Sequence, residues 1–370
     1  MKEFLDPLYG FVELNPLELR LVDSFPFQRL RYIKQLGVAY LVFPSAQHTR
    51  FEHSIGVLYT TNRIAEKLGI KDIKLLRLAG LLHDVGHPPF SHTTEVLLPE
   101  EKTHEDFTER VIRETEIYNI LRKELSHEDI DKLIRITLGK PRDGEEKLLS
   151  DVITGEFGSD RLDYLRRDAY FCGVSYGFFD YERLINTLSY ENNALLIDES
   201  GLRALENFLI SRYFMYIQVY FHKVVRILSI HLVEFIKKLF KKEEFKDINN
   251  YLRINDTNII AKIFESKEYI EDFYRIFGRK HFKTLLSTSD KEVYNQVKKE
   301  VLKIIPEDKV RFDEVRKEVY GGNIYVRTKK GIFKAHEVSS FIASLRPIEV
   351  YRIYVDRSVW KDLEPLGKNL

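Results

Sequence analysis

Two neighbouring segments with helical spacing of apolar residues lie near the start of the chain. Between Phe51 and Leu68 the apolar residues recur every three or four positions, and Gly69 can end a helix in the left-handed conformation. The same spacing recurs between Lys71 and Val85, before the sequence Gly-His-Pro-Pro. The pattern predicts two consecutive helices. If they pack antiparallel, the start of the first helix lies beside the end of the second.

Helical periodicity extends over most of the chain, and alternating strands follow near its end. The spacing predicts a helix over residues 27–36, a helix after the N-cap Thr103, and a long helix over about residues 204–242. A hairpin turn or short strand is predicted at 194–197, and a strand, a Lys-Gly turn and further strands after Asn323. The sequence therefore predicts a mainly α fold with a small α+β C-terminal region.

The change of pattern near the end of the long helix suggests two units. Residues 1–242 would form the helical core, including the long helix. Residues 243–370 would form a C-terminal region of charged helices and short strands. No internal repeat or low-complexity tract interrupts either unit.

The composition narrows the class of protein. The chain has 370 residues, of which 44% are hydrophobic and 31% charged, as expected of a globular protein with a large core. Its net charge of +1 gives no electrostatic reason to expect nucleic acid or a membrane surface as a partner. The single cysteine, Cys172, excludes a disulfide framework and cysteine-based zinc sites. Because we find no apolar leader and the most apolar helix is interrupted by charges, we expect a cytoplasmic protein.

Histidines concentrate in and around the first two predicted helices. The stretch from His48 to His92 contains five of the chain's eleven histidines, and Asp84 directly follows His83. Imidazole nitrogens and carboxylate oxygens are suitable ligands for zinc, iron or manganese. Since His53 lies at the start of the first helix and His83-Asp84 at the end of the second, antiparallel packing would bring them together. The sequence therefore predicts a metal site.

Four motifs give this arrangement a family resemblance. They are, in chain order, FQRLRYIKQLG (27–37), RFEHS (50–54), HDVGHPPFSH (83–92) and DRLDYLRRD (160–168). Together they resemble the HD superfamily of metal-dependent phosphohydrolases, and within it the branch that contains the deoxynucleoside triphosphate (dNTP) triphosphohydrolases. The resemblance covers roughly residues 2–225 and implies an HD-domain helical core. It also implies one divalent transition metal (zinc, iron or manganese), with magnesium accompanying the phosphates of a nucleotide.

The resemblance also assigns the catalytic groups. Water would attack the α-phosphorus of a dNTP, which releases a deoxynucleoside and triphosphate. His104 occupies the place of the family's catalytic histidine, and the neutral-range pKa of histidine suits a general acid for the leaving 5′-oxygen. Glu105 is the better match for the residue that orients it, with Asp106 as the alternative. The metal ligands would be His53, His83, Asp84 and Asp160.

Substrate contacts are predicted on two helix faces. Asp160, Tyr164 and Asp168 follow one another at intervals of four and share a face; an ordinary helix with exposed charges is the alternative, which the order of the four motifs disfavours. Arg212 and Lys223 lie nearly in line on the predicted long helix, for which side chains that reach past a helix interface are the alternative. By resemblance, phosphate would contact Arg50, Arg212 and Lys223; the sugar or base would contact Gln35, Leu36, Tyr164, Asp168, Tyr216 and Tyr220; and His87 and His92 would contact phosphate or support the metal ligands.

Regulation and assembly are implied by the resemblance alone. Asp23, Gln28 and Arg31 match positions that bind an activating guanine nucleotide beside a neighbouring subunit in regulated relatives. Two positions depart from the pattern: Leu5 stands where an asparagine helps to hold the nucleotides, and Tyr216 replaces a histidine of the substrate stripe. The departure at Leu5 puts activation by a nucleotide in question, and the departure at Tyr216 puts the preference for a base in question. We expect a homodimer or homotetramer.

Several hypotheses on function stay open at this point. The leading one is a triphosphohydrolase acting on a purine dNTP or a guanine nucleotide. An HD phosphodiesterase or phosphatase acting on another guanine nucleotide is the alternative, since one fold and metal site serve several such reactions. A nucleotide-binding regulator with little turnover is the third, although it would not need the complete set of ligands and acid. A second metal held by His87 or His92 is less favoured than a single metal.

Overall fold

Helices make up most of the part of the chain that the computed structural model describes, residues 2–99 and 102–368. The predicted class, mainly α with a small α+β C-terminal region, is confirmed. In chain order the helices are α1 (Pro16–Val22), α2 (Phe25–Gln28), α3 (Arg50–Leu68), α4 (Lys74–Leu82), α5 (His104–Glu114), α6 (Glu116–Leu121), α7 (His127–Thr137), α8 (Gly144–Thr154), α9 (Ser159–Cys172), α10 (Tyr181–Asn186), α11 (Leu202–Met215), α12 (Lys223–Leu239), α13 (Ile248–Arg253), α14 (Asp256–Glu265), α15 (Ile270–Ile276), α16 (Lys291–Ile304), α17 (Ala335–Val338), α18 (Ser340–Ser344) and α19 (Arg357–Lys368).

Short strands form three small sheets among the described residues. The strands are β1 (Lys2–Asp6), β2 (Gly10–Leu14), β3 (Leu188–Glu191), β4 (Ala194–Asp198), β5 (Lys283–Thr288), β6 (Val310–Lys317), β7 (Tyr325–Thr328), β8 (Gly331–Lys334) and β9 (Ile348–Val355). The sheets have the orders β1-β2, β3-β4-β7-β8 and β5-β9-β6, and only the β4–β7 pair is parallel. The strands predicted at 194–197 and after Asn323 are thus present. Strand β5 lies where the sequence predicts a charged helix, and β6 was not predicted.

The two helices at the centre of the sequence prediction form as expected. Thr49 and Glu52 make a capping box at the start of α3, and Gly69 ends the helix with φ +68°. Helix α4 begins at Lys74, later than predicted, because the carboxylate of Asp72 accepts a hydrogen bond of 3.3 Å from the Lys74 backbone and forms a turn first. The helix ends at Leu82, so the predicted ligands of the His-Asp pair directly follow it.

The predicted helix over residues 27–36 is wrong in its second half. Helical structure ends with a 3₁₀ turn over Arg29–Tyr32, and the backbone of Ile33 is extended. The backbone N–H of Arg50 donates to the Ile33 carbonyl at 2.9 Å, and the N–H of Gln35 donates to the His48 carbonyl at 3.0 Å. These contacts with the segment before α3 override the local helical periodicity.

The predicted long helix over residues 204–242 is also wrong, because it is broken in the middle. Helix α11 ends at Met215, a π-helical turn covers Tyr216–Tyr220, and α12 begins after His222. Nη2 of Arg352, on β9, donates a hydrogen bond of 2.6 Å to the Phe221 carbonyl, which is thereby withdrawn from the helix. The break interrupts the single helical face on which the sequence places Arg212 and Lys223.

The main hydrophobic core passes across the predicted domain boundary. Buried residues on both sides of it, such as Phe235 on α12 and Tyr251 on α13, belong to one cluster. That cluster also includes Val326 of β7. A second cluster, with Tyr294 and Ile353, lies between the three-stranded sheet and its helices. The division into 1–242 and 243–370 stays a prediction.

Candidate metal centre and active site

Four side chains predicted as metal ligands meet where α3, α4 and α9 converge. His53 lies in the first turn of α3, His83 and Asp84 directly follow α4, and Asp160 lies in the first turn of α9. The Nε2 atoms of the two histidines are 3.2 Å apart, and Asp160 Oδ1 lies 3.1 Å from His53 Nε2 and 3.7 Å from His83 Nε2. Asp84 Oδ2 is 3.6 Å from His53 Nε2, and Asp84 Oδ1 is 3.4 Å from His83 Nε2. The structure thus brings these four residues together.

The separations and the orientations of the rings suit a divalent metal. Ligand atoms that lie about 2.1 Å from a tetrahedral ion are about 3.4 Å from one another. His53 Nδ1 lies 2.7 Å from Asp163 Oδ2, and His83 Nδ1 lies 2.8 Å from the Gly80 carbonyl oxygen. Because an acceptor holds the proton on each Nδ1, the two Nε2 atoms are the ring nitrogens that a metal ion would bind. The residues therefore fit the divalent metal that the resemblance implies.

Electrostatic interactions within this group are strong. Burial opposes a positive charge on His53, but the carboxylates of Asp160 and Asp163 outweigh burial and raise its pKa to about 9. Burial also opposes ionisation of Asp84, and the guanidinium of Arg50 outweighs it and holds the pKa of that carboxyl well below its usual range. The pKa of Asp160 is lowered too, because the two histidines outweigh its burial. The group therefore offers ionised carboxylates to a cation.

A buried set of charges supports the first histidine from behind. Arg167 donates two hydrogen bonds of 2.9 Å to Asp163 and lies 2.9 Å from Asp6 of β1. A Cβ on Gly56 would come within 2.0 Å of Asp163 Oδ1, so glycine lets α3 approach α9 this closely. These residues were missed from the sequence. The available signal was the position of Asp163 and Arg167, three and seven residues after the ligand on α9.

A second group of ionisable side chains adjoins the first. One nitrogen or oxygen atom from each of His87, His92, Glu95 and His104 lies within 4.8 Å of the others. The rings of His87 and His104 stack with their centroids 4.1 Å apart. His87 Nε2 lies 3.3 Å from Asp84 Oδ1, so this aspartate adjoins both groups. The donor set could hold a cation, which leaves the second-metal alternative open.

Glu95, and not the predicted Glu105, is the partner of His104. The carboxylate of Glu95 makes a short hydrogen bond with His104 Nδ1. Burial opposes a positive charge on His104, but this carboxylate outweighs burial and raises its pKa. Glu105 is partly exposed and lies 3.9 Å from Lys140. Asp106, the other candidate, caps the start of α5 by accepting from the Thr103 backbone. Glu95 lies in a 3₁₀ segment that shows no periodic signal in the sequence.

The two further histidines differ in their surroundings. Burial, Arg50 and His104 lower the pKa of His87 well below its usual range, so its ring is neutral. Among the residues that the structure describes, its Nδ1 has no hydrogen-bond partner, and its Nε2 has only Asp84 Oδ1 nearby, at 3.3 Å. A buried imidazole with a free ring nitrogen is suited to receive a ligand. The side chain of His92 is 65% exposed, and its Nδ1 lies 3.2 Å from Glu95.

Arg50 lies between the two groups and is buried. Its Nη1 donates to Asp84 Oδ2 at 2.5 Å, and its Nε donates to Ser91 Oγ at 2.9 Å. The predicted phosphate contact therefore requires Arg50 to share its guanidinium between Asp84 and the substrate. Ser91 in turn donates to the Lys34 carbonyl at 2.9 Å.

Beyond the metal centre, α9 packs into a group of tyrosines, which we call the aromatic wall: Tyr164, Tyr216 and Tyr220. Tyr220 donates to Asp168 Oδ2 at 2.7 Å, and His48 Nε2 lies 2.7 Å from Asp168 Oδ1. The rings of Tyr164 and Tyr220 are 6.5 Å apart, and those of Tyr216 and Tyr220 are 5.2 Å apart. Burial raises the pKa of both Tyr164 and Tyr220, so both hydroxyls stay protonated donors. The structure brings these predicted residues together.

The predicted line of phosphate cations on one long helix does not form. Arg212 is buried on α11, and its Nη1 donates to Glu156 Oε2 at 3.0 Å, a partner missed from the sequence. Lys223 is exposed in the first turn of α12, beyond the helix break, and is therefore not in line with Arg212. Gln35 is buried with an unpartnered Oε1, which is free to accept from a ligand, and Leu36 packs against the main core.

Two of the three predicted allosteric residues, Gln28 and Arg31, contact each other at the end of α2. Gln28 donates to the Val22 carbonyl at 2.7 Å and accepts from Arg31 at 2.9 Å. The Arg31 guanidinium lies 3.5 Å from the centre of the Phe51 ring, and Asp23 is exposed. The structure describes one chain, so a nucleotide site completed by a neighbouring subunit stays a prediction.

Comparisons with known proteins give the family. Two family models match the chain, "HD domain" over residues 50–164 and "HD associated region" over residues 179–319. A hypothetical protein from Aquifex aeolicus has a crystal structure that covers 99% of this chain and 100% of its own, with 69% sequence identity and a TM-score of 0.95. The chain therefore belongs to the HD-domain family of phosphohydrolases.

Two further relatives have described activities. A phosphohydrolase (BT4208) from Bacteroides thetaiotaomicron has a crystal structure with a TM-score of 0.81 and 25% identity, covering 96% of this chain and 100% of its own. The deoxynucleoside triphosphate triphosphohydrolase SAMHD1 of Gallus gallus is 29% identical over 81% of this chain and 58% of its own length. The match thus spans little more than half of SAMHD1.

In the described part of this chain, each helix is too short or too polar to cross a lipid bilayer.

Proposed function

We propose that the protein is a metal-dependent nucleotide phosphohydrolase that converts dNTPs to deoxynucleoside and triphosphate. The observation that carries the proposal is the position of Asp84. It belongs to the four-residue set of proposed metal ligands and also adjoins the stacked pair of His87 and His104. Such an arrangement would place a phosphate activated by metal beside a proton donor. The similarity to SAMHD1 supports a dNTP as substrate.

The metal would be held by His53, His83, Asp84 and Asp160. When bound, a divalent ion of zinc, iron or manganese type would lower the pKa of a water molecule and neutralise phosphate charge. Asp163 would keep the Nδ1 proton on the first histidine, so that its Nε2 lone pair stays available. Magnesium would accompany the phosphates of the nucleotide.

His104 would act as the general acid. Glu95 holds Nδ1, which leaves the Nε2–H group free to protonate the leaving 5′-oxygen. The raised pKa favours the protonated ring, which would hold this proton until the α-phosphorus–oxygen bond breaks. His87 is neutral, and as an Nε2–H donor it would contact a phosphate oxygen beside Asp84.

The aromatic wall would bind the nucleoside. Asp168 and the hydroxyls of Tyr164 and Tyr220 offer hydrogen-bond groups to a sugar, and the tyrosine rings offer faces for packing. Gln35 and Leu36 would also contact the sugar. Arg50 and Arg212 would each give up part of their contact with a carboxylate and bind phosphate oxygens instead.

A second candidate is hydrolysis of a phosphate ester with less charge than a triphosphate, such as another guanine nucleotide. It is favoured because two of the side chains predicted to bind phosphate already pair with carboxylates. Arg50 pairs with Asp84, Arg212 pairs with Glu156, and Lys223 lies exposed beyond the helix break. Each pairing reduces the net positive charge available to a triphosphate.

The test is hydrolysis of the four dNTPs, GTP and GDP with Mn²⁺ or Mg²⁺, each alone and with the others as activators. Products are resolved by ion-exchange chromatography, in water enriched in oxygen-18. Deoxynucleoside with intact, labelled triphosphate supports the proposal and locates attack at the α-phosphorus. Orthophosphate or pyrophosphate would favour the second candidate. Tight binding without turnover would favour a nucleotide-binding regulator.

A further inference from the structure

The loop that follows the metal ligands, residues 86–91, is held by a distant segment of the chain. We call residues 251–256 the clamp segment. Tyr251 donates to the Gly86 carbonyl at 2.5 Å, and Asp256 Oδ1 accepts from the Phe90 backbone N–H at 2.7 Å. Between these two contacts, Arg29 bridges the His87 carbonyl at 2.8 Å and the Ile254 carbonyl at 3.1 Å. The start, middle and end of the loop are therefore all tied to the same segment.

Asp256 makes the most demanding of these contacts. It is 2% exposed, and its second oxygen accepts from the Lys34 backbone N–H at 2.9 Å. A single carboxylate thus joins two loops that are far apart in sequence. Phe90 and Ser91 both have left-handed backbones, with φ +57° and +56°. Residues with a side chain rarely adopt this conformation unless surrounding contacts impose it, and Asp256 supplies such a contact at Phe90.

The loop positions held by Asp256 lead directly to the metal centre. Ser91 donates to the carbonyl of Lys34, the same residue whose N–H binds Asp256. Arg50 then donates to Ser91 at 2.9 Å and to Asp84 at 2.5 Å. Apart from the Asp84 side chain, this route of hydrogen bonds does not pass through a metal ligand.

We propose that Asp256 is a positioning residue for the reaction: it fixes residues 86–91 so that His87 and Arg50 face the bound phosphate. The inference rests on the proposed function for its catalytic readout. Asp256 itself does not touch the reacting atoms. Since the "HD associated region" contains Asp256 and the "HD domain" contains the loop, the clamp makes the second region part of the active site of the first.

The test compares Asp256→Asn with a matched control, Asp272→Asn. Asp272 is also a buried carboxylate, 4% exposed, but both its oxygens accept from Lys238, away from the loop. Asparagine keeps the shape of Asp256 but turns one acceptor into a donor that faces a backbone N–H. Assays are run at pH 8, because burial raises the pKa of Asp256 to about 7 and the carboxylate is then ionised.

Two readouts are measured on the full chain. Amide hydrogen exchange of residues 86–91 should be about tenfold faster in Asp256→Asn than in wild type, the equivalent of one net hydrogen bond. With the dNTP that wild type hydrolyses, kcat should fall by about 10²-fold while KM stays nearly unchanged, as expected of misplaced groups. Asp272→Asn should change neither quantity.

Two results would overturn the proposal. One is exchange in residues 86–91 that is no faster than in Asp272→Asn. The other is faster exchange with an unchanged kcat, which would mean that the reaction does not need the clamp. If wild type hydrolyses none of the nucleotides, the proposed function fails, and the clamp is then judged by hydrogen exchange alone.

Discussion

The carboxylate of Glu95 holds Nδ1 of His104 and thereby leaves Nε2 as the only nitrogen of that ring able to reach a leaving group. This relationship combines orientation with a change of acidity. Glu95 raises the pKa of His104, so the acid stays protonated to a higher pH. It therefore predicts a pH effect that a merely structural contact would not produce.

In Glu95→Gln the pKa of His104 should fall, because a neutral amide replaces the carboxylate. A general acid works only when protonated, so activity is lost as pH rises through its pKa. The alkaline limb of the kcat profile should therefore move to lower pH in this variant. Glu105→Gln is the control and should leave the limb in place. The reverse pattern would return the orienting role to Glu105.

His104→Ala should slow kcat by about 10²–10⁴-fold, the usual contribution of a general acid. His127→Ala is the matched control, since His127 is exposed at the start of α7 and should leave turnover unchanged. Both variants should keep the metal bound at the first group. An unchanged kcat in His104→Ala would mean that another group protonates the 5′-oxygen.

Removal of a ligand should remove metal and activity together. His53→Ala and Asp84→Ala should each lose the bound ion, as measured by elemental analysis after dialysis, and wild type should retain one ion per chain. Asp163→Asn should keep the four ligands but weaken metal affinity by about 10–100-fold, because a neutral amide replaces the carboxylate that accepts the Nδ1 proton of His53. Asp131→Asn, at an exposed ion pair, is the control. Loss of a second ion in His104→Ala would show that the second group also binds metal.

The ion pair of Arg212 and Glu156 should compete with phosphate binding. Glu156→Gln should lower KM for the nucleotide by about tenfold, because the guanidinium is released from its carboxylate. Arg212→Ala should raise KM by a similar factor with little effect on kcat. Arg203→Ala, on the exposed face of α11, serves as control. A higher KM in Glu156→Gln would mean instead that Glu156 positions the arginine for its ligand.

The parts of the molecule that the sequence predicts are those with local causes. Helix α3 has a cap at Thr49, a periodic apolar face and a terminal glycine at Gly69, and all are visible in the sequence. The antiparallel arrangement of two such helices then brings His53 to His83. The fold class follows in the same way.

The errors and omissions have long-range causes. The long helix breaks at Phe221 because Arg352, which is 131 residues further along the chain, binds its carbonyl. Glu95 was missed because its 3₁₀ segment has no apolar periodicity, and Asp256 because its partners lie in two remote loops. Contacts of this kind depend on the packed structure, so spacing alone does not reveal them.

The parallel pairing of β4 with β7 has a consequence for how the protein can be divided. The family match ends at residue 319, and β7 begins at Tyr325. A recombinant fragment cut at that match would lose β7 and β8 and leave the inner edge of β4 without hydrogen-bond partners. Such an exposed edge is a template for aggregation. An expression fragment should therefore extend through β8 at least, even when only the helical region is wanted.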